Sequence, residues 1–333
     1  MPRGTQGPRI PSIWRDTGST LGNLLTLLVV CAVAGVLVAG LLIPAGAVAT
    51  AAVSGTDSFV NSNPGTLKLN APAQGTTVLA SDGSVIARFY EQDRQAVTLA
   101  KMSPYIRNGI VAIEDARFYQ HGGIDPTGIL RAVAATLHGG REGASTITQQ
   151  YVNNVIIENL VTSGKTDQAK LGAQKTITDK INEMKQAIDL EKTMSKDQIL
   201  QGYLNLIYFG NGAYGIQAAA KLYFDTDAKD LTLPQAAALA GVVNSPTVYD
   251  PVAHPDNVVT RRNQVLSKML AQKKITQKQY AAAVKAPLVV HLHKTAQGCV
   301  AAKMAPYFCD YVQQLVLNNS AYGATPEDRA KFL

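Results

Sequence analysis

The chain is poor in the residues that several common functions need. Three Cys in 333 residues cannot build a disulfide scaffold or a Cys-rich zinc module. His291 and His293 alternate in the segment PLVVHLH with no third ligand in view, the pattern of surface strand residues rather than of a metal site. With 6% aromatics and no Walker, dinucleotide-binding or zinc-finger spacing, nucleic acid has no reader, despite a net charge of +7 and a pI near 9.2. Charge itself is missing from one long stretch, since no charged residue occurs between Asp16 and Asp57.

That gap holds Leu24 to Ile43, twenty mostly apolar residues. At about 1.5 Å per residue a helix there spans roughly 30 Å, the hydrocarbon thickness of a bilayer. Arg3, Arg9 and Arg15 precede it, which places the N-terminus in the cytoplasm and everything after Ile43 outside. Ala45-Gly46-Ala47 and Ala47-Val48-Ala49 fit a small-x-small cleavage pattern. The apolar run nevertheless exceeds a signal-peptide core, so an uncleaved anchor is expected. A membrane then accounts for the basic charge. Cys31 lies in the anchor, whereas Cys299 and Cys309 lie in an oxidising compartment and close a short loop, as a disulfide candidate or as two free thiols.

The expected order is a cytoplasmic tail over residues 1–20, a transmembrane helix over 21–45 and a Ser, Gly, Asn, Pro and Thr-rich linker over 46–75. Alternating apolar positions on either side of Asp82-Gly83 predict a β-hairpin over 77–90. The pattern then turns helical, with helices predicted over 127–138, 146–161, 175–192, 195–209, 218–224, 234–243 and 257–274. Ser195 with Gln198 makes a capping box, and Thr232 caps a helix with Pro234 in its first turn. The helix over 146–161 is apolar enough for the core or for grazing a membrane. Residues 158–174 read as a mobile loop, Gly210 to Gly215 as a tight one, and 287–293 as a strand.

The stretch with the richest chemistry is EDARFYQHGGID, Glu114 to Asp125. Tyr105, Ile106, Ile110, Ile113 and Phe118 recur at roughly helical spacing, and Gly122-Gly123 punctuates the end. Glu114 and Phe118, four apart, would share one side. Glu114 and Asp115 diverge by about 100°, so at most one of them is the acid or base. A solvated acidic face ending in a Gly stop fits this stretch equally. A second acidic candidate, Glu183, lies three residues after Lys180 on another predicted helix. Two such groups with basic neighbours suit acid/base work on a substrate bearing negative charge.

Five segments in order then resemble the motifs of the peptidoglycan glycosyltransferases, family 51, found in class A penicillin-binding proteins. They are EDARFYQHGGID, GASTITQQ at 143–150, KINEMKQAIDLEK at 180–192, KDQILQGYLNLIYFGNGAYGIQAAAKLYF at 196–224 and RRNQVL at 261–266. The resemblance implies a mainly α, lysozyme-like domain over 76–285, with the small N-terminal β-hairpin and one transmembrane helix before it. It also implies a substrate, lipid II, joined to a growing lipid-linked glycan with inversion. Glu114 would be the general base on the acceptor hydroxyl. Glu183 would assist departure of the lipid diphosphate, with Lys180 and a divalent cation such as Mg²⁺. Ser145, Gln149 and Gln150 would hydrogen-bond phosphates or sugars, while Asp115, Phe118 and His121 brace the site. The implied partners are the membrane, lipid-linked glycan and cell-wall synthesis proteins of division or elongation.

Three positions depart from the motifs: Asn153 stands where a Lys is usual, Asp179 where an Arg is usual, and Gln201-Gly202 where an acidic residue is usual. Two of these remove positive charge where a diphosphate should bind, a role open to Lys165, Lys170 and Lys175. Neither Ser-x-x-Lys nor Lys-Thr-Gly occurs, so a penicillin-sensitive transpeptidase domain is not expected, and residues 286–333 resemble the connection toward one. The competing readings are a non-catalytic scaffold of the same fold and a lysozyme-type glycan-cleaving enzyme.

Overall fold

The computed structural model describes residues 65–139, 143–165 and 176–333. The expected tail and anchor, and the linker as far as residue 64, lie outside the described residues. Among those described, no helix is long and apolar enough to cross a membrane.

The hairpin forms as predicted, with β1 (Thr76–Leu79) antiparallel to β2 (Val85–Phe89) and Asp82 accepting from Ser84 N–H in the turn. A two-residue parallel pair, β3 (Asp93–Arg94) and β4 (Ala213–Tyr214), forms a second small sheet. The rest is helical: α1 (Pro104–Glu114), α2 (Pro126–Leu137), α3 (Ile147–Thr162), α4 (Ile177–Thr193), α5 (Lys196–Leu206) and α6 (Ile216–Phe224). Then come α7 (Leu233–Val242), α8 (Pro255–Ala271), α9 (Gln277–Lys285), α10 (Pro306–Asn318) and α11 (Pro326–Phe332).

Several helices start at reciprocal caps written into the sequence. Thr146 with Gln149, Thr176 with Asp179, Ser195 with Gln198 and Thr276 with Gln279 each satisfy first-turn N–H groups. Asp179, the unexpected acidic residue of the third motif, is therefore the reciprocal cap of α4, at the helix end that favours negative charge.

The core is built around α7, whose Leu233, Ala236 to Ala240, Gly241 and Val242 are all buried. Its small residues let α1 and α8 approach closely; a Cβ added at Gly109 of α1 would meet Ala240 Cβ at 3.4 Å and Met269 Sδ at 3.6 Å. Ile106, Ile110, Ile147, Leu200, Leu204 and Val265 extend the same apolar cluster. The outer face of α3 is half-buried, and its Ile147, Val152 and Val155 reach the core. At the crossing of α3 and α5, a Cβ added at Gly202 would lie 2.6 Å from the tip of the Tyr151 ring. In the loop after α5, Gly210, Asn211, Gly212 and Gly215 all take positive φ, which explains the Gly clustering there.

Three expectations are corrected. Residues 158–162 belong to α3, as the helix expected over 146–161 implies and the loop expected over 158–174 does not; Thr162 Oγ1 and Ser163 Oγ bond back to carbonyls of the last turn, and residues 166–174 of that loop lie outside the described residues. Residues 287–293 form no strand; His291 and His293 N–H groups donate to Tyr223 and Leu222 carbonyls at the end of α6, where no strand is available to pair. Phe118 lies in a separate 3₁₀ turn, Phe118–Gln120, and not on the helix that carries Glu114.

Residues beyond 286 return to the hairpin. Gly298 N–H donates to Arg88 C=O at 2.8 Å, and Thr76 Oγ1 donates to Phe332 C=O at 3.0 Å. Cys299 and Cys309 are joined by a disulfide and are buried against Ile86 and Phe89. By loop-closure entropy the bond stabilises this satellite cluster by about 2–3 kcal/mol. Cys309→Ser is expected to speed hydrogen exchange in β2 and α10 while leaving α7 protected, as read by peptide-resolved exchange.

Candidate active site

The site forms where α1 ends and α3 begins. Asp115 leaves the helical region (φ −155°, ψ 78°) and so terminates α1 one residue after Glu114. Its buried carboxylate accepts from His121 Nε2 at 3.0 Å and from Ile147 N–H, the first of α3, at 3.1 Å. An unpaired helix N–H is satisfied by an anion at the end of the helix that favours one. Thr146 Oγ1 adds a bond to Gly123 C=O at 2.6 Å, and Gly123 itself admits no side chain, since a Cβ would lie 2.7 Å from the Ala187 and Ile188 backbone. The loop after Glu114 is thus clamped between α3 and α4.

Two groups of site residues flank the first turn of α3. In one, Gln150 Nε2 donates to Glu114 Oε2 at 2.9 Å, and Gln150 Oε1 accepts from Tyr203 O–H at 2.8 Å. Glu114 Oε1 is buried and has no hydrogen-bond partner among the described residues. Burial raises the Glu114 pKa above its ordinary value near 4.5, opposed by the Gln150 bond and the charge of Arg261 and aided by the charge of Asp115. In the other group, Lys180 Nζ donates to Ser145 Oγ at 2.8 Å and to Glu183 Oε1 at 2.5 Å. The Glu183 side chain is 4% exposed and that of Lys180 is 38% exposed, so the ammonium faces solvent while its carboxylate partner does not.

The remaining candidates brace. His121 is held by Asp115, Phe118 is fully buried, and Lys196 lies 4.5 Å above the Phe118 ring while also pairing with Glu191 at 2.7 Å. Glu191 also accepts from Thr148 Oγ1, tying α4 to α3. Gln149, expected at the substrate, is 2% exposed, and its Oε1 holds Thr146 N–H at 2.9 Å as the α3 cap. The pattern Thr146-x-x-Gln149 carries that information in the same form as Ser195-x-x-Gln198. Tyr203 was missed because a buried Tyr on an apolar helix face reads as core. Arg261, in α8 and in the RRNQVL segment, has its guanidinium 5.6 Å from the centre of the Tyr249 ring.

Residues 82–270 match the family described as Transglycosylase. Penicillin-binding protein 1A of Neisseria lactamica is 40% identical over 210 residues, 62% of this chain and 25% of that protein. Penicillin-binding protein 1A of Escherichia coli (strain K12) is 37% identical over 261 residues, 77% of this chain and 28% of that protein. A crystal structure of penicillin-binding protein 1A from Haemophilus influenzae overlays with a TM-score of 0.40 at 23% identity, covering 75% of this chain and 25% of that one, too distant to inform the site. This chain belongs to the transglycosylase family, the peptidoglycan glycosyltransferases whose motifs it carries. It spans about a quarter of the length of the curated relatives it matches.

The raised Glu114 pKa has a consequence for stability. The folded protein holds this proton more tightly than the unfolded chain does. The group's contribution is therefore most favourable below the unfolded value near 4.5 and falls as pH rises through the folded value. Glu114→Gln keeps an acceptor for Gln150 without the buried charge. It is expected to match or exceed the wild type in denaturant midpoint at about pH 7, the difference closing on acidification.

Proposed function

We propose that this domain polymerises lipid II into glycan strands at a membrane surface. The observation that carries the reading is the buried Oε1 of Glu114, a carboxylate oxygen with basicity raised by burial and no hydrogen-bond donor to it among the described residues. The 4-hydroxyl of the incoming lipid II sugar attacks the anomeric carbon of the lipid-linked glycan. Its proton passes to Glu114 Oε1, the bond from that carbon to the diphosphate oxygen breaks, and configuration inverts. The diphosphate-lipid leaves with the bonding electrons, its charge met by Lys180 Nζ and the Ser145 hydroxyl. Asp115, His121 and Phe118 hold the loop that aims Glu114.

The implied divalent cation fits one mode of binding. Among the described residues no three His, Cys, Asp or Glu side chains gather into a metal cluster. An ion such as Mg²⁺ accordingly suits arrival on the diphosphate, with Glu183 as the nearby carboxylate, in keeping with its preference for substrate phosphates and one or two carboxylates. When bound there it supplies positive charge to the leaving group. The apolar run at 24–43 supports a single membrane anchor with the domain outside, where a lipid-linked substrate resides.

Labelled lipid II in detergent with a divalent cation tests the reading. The intact chain is expected to yield polymer, and Glu114→Gln to lose about 10²–10⁴-fold in rate. Soluble fragments released from finished cell wall would favour cleavage, and a folded but inert wild type would favour a scaffold. Lys180→Met is expected to slow polymerisation by about 10–100-fold, the loss of one charge-assisted contact to the leaving group.

A further inference from the structure

Gln150 lies between two groups that fix it. Its amide donates through Nε2 to Glu114 Oε2 at 2.9 Å, and its Oε1 accepts from the Tyr203 hydroxyl at 2.8 Å. Tyr203 is fully buried on α5, and no other bond is made by its hydroxyl among the described residues. We infer that Tyr203 is a positioning residue: through Gln150 it fixes one amide orientation, which occupies Oε2 of Glu114 and leaves Oε1 as the atom that receives the acceptor proton. This rests on the reading of Glu114 as the general base.

The chemistry of the three groups allows one arrangement when Glu114 is ionised. Were the amide turned over, its oxygen would face a carboxylate oxygen, two acceptors with no proton between them. The Tyr203 proton would then have to turn away from the amide, leaving a buried O–H donor without its acceptor. Burial also pushes the phenol pKa well above its usual range, so Tyr203 remains a donor wherever the enzyme works. The carboxylate therefore presents two unlike oxygens. One is hydrogen-bonded and less basic, and the other is buried, without a partner among the described residues, and more basic. Without Tyr203 the amide oxygen is left buried without its donor and the amide is held at one end only, so its bond to Glu114 loosens. Its pKa rises as a result, since a hydrogen bond to the charged form favours that form.

The test measures lipid II polymerisation by the full chain across pH for wild type, Tyr203→Phe, Gln150→Ala and the double variant. Tyr203→Phe is expected to lower kcat about tenfold, with KM for lipid II within about twofold of wild type. The acid limb of the rate profile moves to higher pH, because a base of higher pKa is protonated over a wider range. In the Gln150→Ala background, Tyr203→Phe is expected to have no further effect. Additive losses in the double variant, or an unmoved acid limb in both single variants, would overturn the inference. Should Tyr203→Phe not fold, Gln150→Ala decides alone: a displaced acid limb supports the inference and an unmoved one overturns it. Wild-type-like polymerisation by Glu114→Gln is a separate result, which removes the base and with it the role of both neighbours.

Discussion

The site depends on one buried carboxylate whose hydrogen bonds join separate parts of the chain. Asp115 ends α1, receives the first N–H of α3 and holds His121, so a single side chain joins three segments of the chain. Two of those bonds face backbone or ring donors that would otherwise be buried without partners, and such groups cost about 1–3 kcal/mol each when left unmet. The geometry of Glu114 follows from this. Because α1 stops where Asp115 is captured, the last helical side chain is delivered beside the second turn of α3, where Gln150 waits. Glu114 and Asp115 are neighbours in sequence with unlike surroundings: among the described residues one carboxylate keeps an oxygen without a partner, and both oxygens of the other are bonded.

Much of this was legible in the sequence, and the failures have physical causes. The hairpin at Asp82-Gly83, the caps at Ser195 and Thr232 and most helices were readable because each rests on contacts within a few residues. The pairing of Lys180 with Glu183 follows from their spacing on one helix face. What escaped were bonds between distant positions, such as Tyr203 to Gln150 and Ile147 to Asp115, which no local pattern encodes. Gln149 and Gln150 look equivalent as a pair, yet one caps a helix and the other meets Glu114, because adjacent helical residues point about 100° apart. The false strand at 287–293 had the right β-forming residues but no partner strand.

Two of the positions that depart from the family's motifs have visible local roles. Asp179 is the reciprocal cap of α4, and a basic side chain there could not return a bond to Thr176 N–H. Gln201 Oε1 accepts from Leu99 N–H at 2.8 Å and so anchors the segment leading into α1. Positive charge at the proposed diphosphate position rests on Lys180, braced by Glu183 and Ser145 so that its partly exposed ammonium has a defined place.

Gly202 and Tyr151 share one volume. The absent side chain of the first is the space that the ring of the second fills, with no slack for even a methyl group. The pair works as a lock between two helices that both serve the site, since α3 carries Gln150 and α5 carries Tyr203, each one residue from the lock. Bulk at 202 would therefore require a smaller residue at 151. The spacing between the two helices, and so the reach of the phenol to the amide, is gauged by a residue with no side chain at all.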